Sequence, residues 1–446
     1  MLNLFDTVNN GKTSIVNEQT EIERHFKSTY EYDSDGRISK VFYAVSDDEV
    51  ELNNNLTLAY YYEYDAANQV KVCVNVLKSE LYTYQYDSSG NITEKKTYGE
   101  NDFTFNTSTC SYNLLNPSDT QEYTYNSKGL LASYNNHSIS TNANGNPEDY
   151  YNGNKHYRLV WLGNKLMSAI EMNGNDELRR FDYNYDVNGM LIKKTKVERP
   201  GTEIEQETSK TEYVWNDGKM SGYRYWFKNS DNWKSVSGKY IYDGDEVIGV
   251  LTHSDIYTSN ITELNDIYDN TEVLANNIFW FVKDAQGNTV SIYSPRNDFS
   301  VDINRDANGF PGFGASGCMV DDIAEYCQRQ NGSWGGIAAL LATSLAIDDT
   351  LNFAASDYKG FLYDHDTNLC FADGRYYAPS LGRFLNIGDL RSMTKDVGNS
   401  AITNPFAFCN NDTINNRIET GTVKPFVETQ LDVNYVTNWY KYYKQH

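Results

Sequence analysis

The chain has 446 residues, enough for two or three domains by length, and a formal charge of −23 from 61 acidic against 38 basic side chains. That excess argues against nucleic acid or an anionic membrane surface as a partner. Only 8 prolines argue against disorder, and 37 tyrosines, whose rings pack while their hydroxyls reach water, suit sheets with one wet face.

Residues 1–27 are polar with one weak apolar cluster and read as a leading strand or cap. Met1-Leu-Asn-Leu-Phe-Asp-Thr7 has neither the basic nor the apolar region of a signal peptide, so no such leader is expected there.

From Tyr30 to about Ser294 one short pattern recurs: aromatic, any residue, aromatic, Asp or Asn, two residues, Gly. Complete copies are Tyr30-Glu-Tyr32-Asp33-Ser-Asp-Gly36, Tyr84-Gln-Tyr86-Asp87-Ser-Ser-Gly90, Tyr123-Thr-Tyr125-Asn126-Ser-Lys-Gly129 and Tyr183-Asn-Tyr185-Asp186-Val-Asn-Gly189. Alternating rings lie on one face of a strand. The Asp or Asn accepts backbone N–H groups of a turn, and the glycine takes a positive φ without steric cost. An aliphatic residue then opens the next strand, so each copy is a hairpin.

Weaker copies fill the intervals. Tyr62-Glu-Tyr64-Asp65 has Asn68 where glycine is expected, and asparagine is the next most tolerant residue at positive φ. Tyr213-Val-Trp215-Asn-Asp-Gly218 and Tyr240-Ile-Tyr242-Asp-Gly244 have shortened turns, and Phe279-Trp-Phe281 leads to Asp284-Ala-Gln-Gly287. Leu159 to Leu166 is another strand–turn–strand, whereas the Asn-, Ser- and Gly-rich stretches 101–119 and 135–154 read as loops on the wet side. Isolated hairpins are not stable in water, so the copies are expected to pair edge to edge in one long antiparallel sheet that twists into a spiral or closed wall. Outward Tyr or Trp on such a sheet would stack on sugars, but strict alternation favours rings packed inside the wall.

After Ser294 the texture changes. Val320, Ile323, Ala324 and Cys327 fall at helical spacing and 335–346 is rich in Ala and Leu, which predicts two short helices within about 319–347. The apolar run from Trp334 to Ile347 is shorter than the ~20 residues that span a bilayer, so no membrane span is expected. Asp302, Asn304 and Asp306 resemble the opening of a calcium loop, but Phe313 stands where a closing carboxylate is needed, and they read as strand and turn residues. Six histidines without paired spacing and six scattered cysteines predict no zinc site and free buried thiols; Cys318 and Cys327 would bridge only if the segment between them folds suitably. No cofactor fingerprint occurs, and none is expected.

The densest motif is Gly360-Phe-Leu-Tyr363-Asp364-His-Asp-Thr367-Asn368-Leu-Cys370-Phe-Ala-Asp-Gly374-Arg375-Tyr376-Tyr377-Ala-Pro379-Ser-Leu-Gly382-Arg383-Phe384, followed by Asn404-Pro405-Phe-Ala-Phe-Cys-Asn-Asn411. It resembles the core segment that closes the repeat array in RHS/YD-repeat proteins, and the resemblance covers about 28–421. It implies an all-β fold, strands of antiparallel hairpins spiralling into a shell-like wall, with the core segment curling inward as a plug. The expected division is a cap over 1–27, a repeat array over 28–295, a core region over 296–421 and a short tail over 422–446.

Bacterial members of that family resemble containers for a variable C-terminal toxin or surface proteins of contact-dependent competition, and animal relatives are adhesion receptors. Several cut themselves after the core with paired aspartates. Here the closing motif reads Ile418-Glu-Thr-Gly421, which leaves Asp389 as the single carboxylate in register. An aspartyl mechanism needs two carboxylates sharing a proton, so self-cleavage is not expected. Arg375 and Arg383 are expected to be structural, Arg383 pairing with a carboxylate of the plug.

The sequence thus points to a non-enzymatic shell or scaffold protein of bacterial toxin delivery or cell-surface competition, with no toxin domain evident in the tail. Its expected partner is a protein guest or a companion shell subunit. It is expected to be secreted or at the cell surface, with a cytoplasmic pool, by a route other than an N-terminal signal peptide. The alternatives are an adhesion module binding cell-surface glycan and an autoproteolytic processing domain.

Overall fold

The computed structural model describes residues 8–14, 21–46, 55–203, 205–216, 218–229, 232–244, 246–254, 278–283, 289–294, 299–302, 361–364, 366–372, 374–387, 404–419 and 422–425. Among these the structure is antiparallel β throughout, apart from one short 3-10 turn at Cys409–Asn411. The predicted helices within 319–347 lie outside the described residues, as do Cys318 and Cys327; Cys73, Cys110, Cys370 and Cys409 are buried.

The hairpins pair edge to edge in sequence order, except that Asp119–Tyr125 pairs with Ile92–Tyr98 across a separate two-stranded hairpin between them. The expected single ladder is divided in two. Ten strands from Val8–Ser14 to His137–Ser138 form one sheet and twelve from Asp149–Asn152 to Phe299–Asp302 form the next. The seam between them is not a loose loop. Asn142 starts a repeat turn that the sequence pattern did not reveal, Thr141 bridges Pro147, and His137, Tyr151 and His156 stack with ring centroids 4.2 and 4.5 Å apart.

The repeat turns share one geometry. Asp33 Oδ1 accepts the N–H groups of Asp35 and Arg37, both at 2.9 Å, and Asp87 Oδ1 those of Ser89 and Asn91 at 2.8 and 2.9 Å. Asp65, Asn126, Asn142 and Asp186 accept from the residues two and four further on in the same way. Gly36, Gly90, Gly129 and Gly189 have φ from 73 to 88°, and Asn68 fills the corresponding place at 63°. A β-bulge at the second aromatic accompanies the turns and turns that ring toward the previous hairpin.

There the ring makes a hydrogen bond that joins successive repeats. Tyr64 donates to Ile38 O at 2.6 Å, Tyr86 to Val70 O at 2.6 Å, and Tyr125 to Ile92 O at 2.7 Å. In the second sheet Trp161 donates to Pro147 O at 2.6 Å, Tyr185 to Leu166 O at 2.5 Å, Trp215 to Leu191 O at 2.6 Å, and Tyr242 to Met220 O at 2.7 Å. The acceptor lies two or three residues past the preceding turn. Burial pushes the Tyr86 hydroxyl well above its usual range, so it remains a proton donor.

The stretch 101–119, expected as a wet loop, is instead a hairpin of Phe103–Asn106 and Ser111–Leu114 that covers the first sheet. Phe103 is buried with Val72, Val74, Leu81 and Tyr98, on the face opposite Tyr62, Cys73, Tyr82 and Tyr84. Strands buried on both faces lose simple alternation, which is why Val70–Asn75 is apolar almost throughout.

Residues 362–384 form a four-stranded sheet: Leu362–Asp364, Leu369–Ala372, Arg375–Ala378 and Arg383–Phe384. Leu362, Leu369, Phe371 and Tyr376 share one buried cluster with Tyr157, Phe181, Tyr183, Tyr223 and Tyr240 of the second sheet. This is a shell-like wall with a plug seated on its aromatic face.

Candidate functional site

The plug's seat is where the sequence-predicted core residues converge. Tyr363 and Asp364 open a turn one residue longer than those of the repeats: Asp364 Oδ1 accepts the Asp366 N–H at 3.0 Å, and Asn368, four residues on at φ 55°, donates its N–H to Asp364 O at 2.7 Å. The Tyr363 hydroxyl donates to Asn368 Oδ1 at 2.7 Å. Pro379 to Gly382 is a tight turn with Gly382 at φ 63°, and it carries the chain into Arg383 and Phe384.

The wall meets this sheet with hydroxyls and one buried cation. Tyr183 donates to Asp364 Oδ2 at 2.7 Å, Tyr157 to Asp366 O at 2.7 Å, and Tyr150 bonds Ser380 Oγ at 3.0 Å. Tyr185 and Tyr376 share a hydrogen bond at 2.5 Å. Lys194, buried beside the Phe181 ring, pairs with Asp364 at 2.5 Å and also with Asp366, to which Lys196 adds a contact at 3.3 Å. Burial raises the Asp366 pKa, but the two lysines outweigh it and hold the carboxyl well below the usual range. Lys194 is correspondingly raised: its own burial is outweighed by Asp364 and Asp366. Each carboxylate is matched to a lysine rather than to a second carboxylate, so the cluster is a lock.

A second seat lies on the first sheet, built by asparagines. Asn404 donates to Asn91 Oδ1 at 2.7 Å and caps Phe406 N, with Pro405 in the turn between them. Asn411 donates to Gly90 O at 2.7 Å. Asn415 donates to the Tyr64 hydroxyl and accepts the Ile38 N–H at 2.7 Å. Cys409, Asn410 and Asn411 have φ of 50, 56 and 62°, a left-handed run that aims these amides at the wall. The core region therefore fastens to both sheets.

Arg383 departs from expectation. Its guanidinium lies 5.0 Å from the Tyr125 centroid and 4.7 Å from that of Phe406, stacked between wall and plug rather than ion-paired within the plug. The carboxyl it influences is Asp87 of a repeat turn. Burial raises the Asp87 pKa, but hydrogen bonds from Asn91 and Ser89 and the charge of Arg383 prevail and lower it. Planar guanidinium suits such a stack better than an ammonium group. Arg375 likewise lies over Phe384, at 3.7 Å, while Tyr377 packs with Phe384 and Phe408.

Asp389, Asn304, Asp306, Asp284 and Gly287 lie outside the described residues, while Asp302 ends the last strand of the second sheet, opposite Ser291. Sequence reasoning missed Lys194, Lys196, Asp366, Asn386 and Asn415. Asn386 accepts the Tyr376 N–H and donates to Asn164 O of the wall. One signal was present: asparagines crowd the segment 404–416 more densely than one turn requires. Lys194 had none, since a lysine in a strand reads as solvated.

Neither a family model nor a curated protein matches the chain. Among solved structures it is similar to TcdB2-TccC3 without its hypervariable C-terminal region, at 14% identity and a TM-score of 0.58. A Photorhabdus luminescens Tc holotoxin pore carrying the TccC3 D651A mutation matches more loosely, at 12% identity and a TM-score of 0.48 over 96% of this chain and 19% of that one. The first match covers 93% of this chain and 17% of the other, so the chain spans about a sixth of that relative's length. What the two share is the fold: an all-β antiparallel wall of the kind found in the TcdB2-TccC3 structure.

Proposed function

We propose that this chain is a non-enzymatic RHS/YD-repeat wall segment of a bacterial toxin-delivery or surface-competition shell, secreted or displayed at the cell surface. In this reading it encloses a protein guest or joins a companion subunit that continues the wall. The observation that carries it is the plug lock: Lys194 and four wall tyrosines fix the core sheet to the aromatic face. Such a plug serves a wall that encloses something. The TcdB2-TccC3 likeness supports a two-component assembly.

Two measurements test the reading. Cross-linking mass spectrometry on the protein purified from its own cells is expected to place a partner against a terminal strand of the ladder, Val8–Ser14 or Phe299–Asp302, where the next strand would pair. Cross-links confined to loops, or no partner, would overturn it. Expressed as these 446 residues, the chain is expected to keep its uncleaved mass of 51.0 kDa; loss of the segment after Gly421 would instead establish self-processing.

A further inference from the structure

We infer that the outer face of the second sheet carries a binding site for an anionic carbohydrate, formed by Trp226 and Trp233 with Lys210, Arg224 and Lys228. The strand Lys219–Asn229 turns Tyr223, Tyr225 and Phe227 toward the core and therefore turns Arg224, Trp226 and Lys228 to the opposite face. Lys210 stands opposite Trp226 in register on one side, and Trp233 stands opposite Lys228 on the other.

The cations lie over the indoles. Lys210 Nζ is 5.5 Å from the Trp226 centroid and 5.7 Å from that of Trp233; Arg224 is 5.3 Å from Trp226 and Lys228 5.4 Å from Trp233. The plug occupies the other face, so core packing does not require these tryptophans. The Trp226 N–H is covered and has no hydrogen-bond partner, and Trp233 retains 38% exposure. On a chain of charge −23 this cluster is a local reversal of sign, with Glu212 facing Arg224 across the strands.

The chemistry selects the ligand. Indole faces take the C–H faces of pyranose rings, ammonium and guanidinium groups take carboxylate or sulfate, and a ligand oxygen that displaces a lysine stem would satisfy the Trp226 N–H. Polynucleotides and uronate sugars both carry one negative charge per residue, so the overall field opposes either at long range. What favours the sugar is its ring hydroxyls, which supply the acceptor that the Trp226 N–H lacks, beside C–H faces that suit the indoles. The inference does not depend on the shell reading, because it concerns the face turned away from the plug.

The test is tryptophan fluorescence titration of the full chain with oligogalacturonate, and in parallel with cellohexaose, oligo-dT and phosphatidylserine vesicles. Oligogalacturonate is expected to shift the emission and to bind less tightly as salt rises. Trp233→Ala, and separately Lys210→Gln with Lys228→Gln, should each weaken binding about tenfold or more. Unchanged circular dichroism would show that these variants fold. Absence of oligogalacturonate binding, equal affinity for cellohexaose, preference for oligo-dT or vesicles, or folded variants that bind unchanged would each overturn the inference.

Discussion

A phenylalanine has the shape of the second ring of each repeat but lacks its donor. Tyr86 spans to Val70 O, and replacing it by phenylalanine leaves a buried carbonyl short of a partner. Tyr86→Phe is therefore expected to cost ~1–1.5 kcal/mol, read as a lowered urea midpoint. Tyr223 is the contrasting case. Its hydroxyl is buried without a partner, so Tyr223→Phe is expected to be neutral or stabilising in the same measurement. Equal losses at the two positions would mean that ring packing alone joins the repeats. The distinction was available in the sequence, since the second aromatic is Tyr in all four complete copies. Periodicity ranks rings by hydrophobicity, however, and does not register what their edges bond to.

Turns and locks decide the behaviour of elements. Asp87 caps two backbone N–H groups, binds the Asn91 amide and feels the charge of Arg383. Asp87→Ala should cost ~1–3 kcal/mol, while Asp87→Asn, which keeps the acceptor as Asn126 and Asn142 do, should cost distinctly less. Thermal melts of the two variants check the order. At the plug, Lys194→Met strands Asp364 and Asp366 without their main cation. The expected loss is ~3–5 kcal/mol of plug docking. Hydrogen–deuterium exchange would report it as faster exchange over 362–384, with the wall strands 57–98 unchanged. The turn chemistry was legible because Asp, Asn and Gly act within a few residues of one another. The lock was not, because Lys194 and Asp366 meet only after the chain has returned through a whole sheet.

Across the whole molecule the depressed carboxyls set the response to acid. Asp33, Asp87 and Asp366 all have folded pKa values below the ordinary one. Their stabilisation is fully present above the unfolded aspartate value, about 3.9, and is lost as pH falls through it toward the folded values. Lys194 is shifted upward, so its share is complete below the unfolded lysine value near 10.4 and is lost only in strong alkali. The plug is expected to stay docked on a plateau from about pH 5 to 10 and to loosen below about 4. Acid-pulse exchange over 362–384 checks this, and loosening that begins near neutrality would contradict it.

The sequence by itself determined the hairpins, their edge-to-edge pairing and the ring-bearing face, because each follows from contacts between near neighbours or from a period of two; the core segment as a plug was implied only by its resemblance to a known core segment. It did not determine where the wall divides, that 101–119 folds back as a cover, that Arg383 lies between Tyr125 and Phe406, or that Lys194 is buried. Those were decided by tertiary structure, since the free energy of a buried charge or a covered strand depends on what the distant chain brings against it.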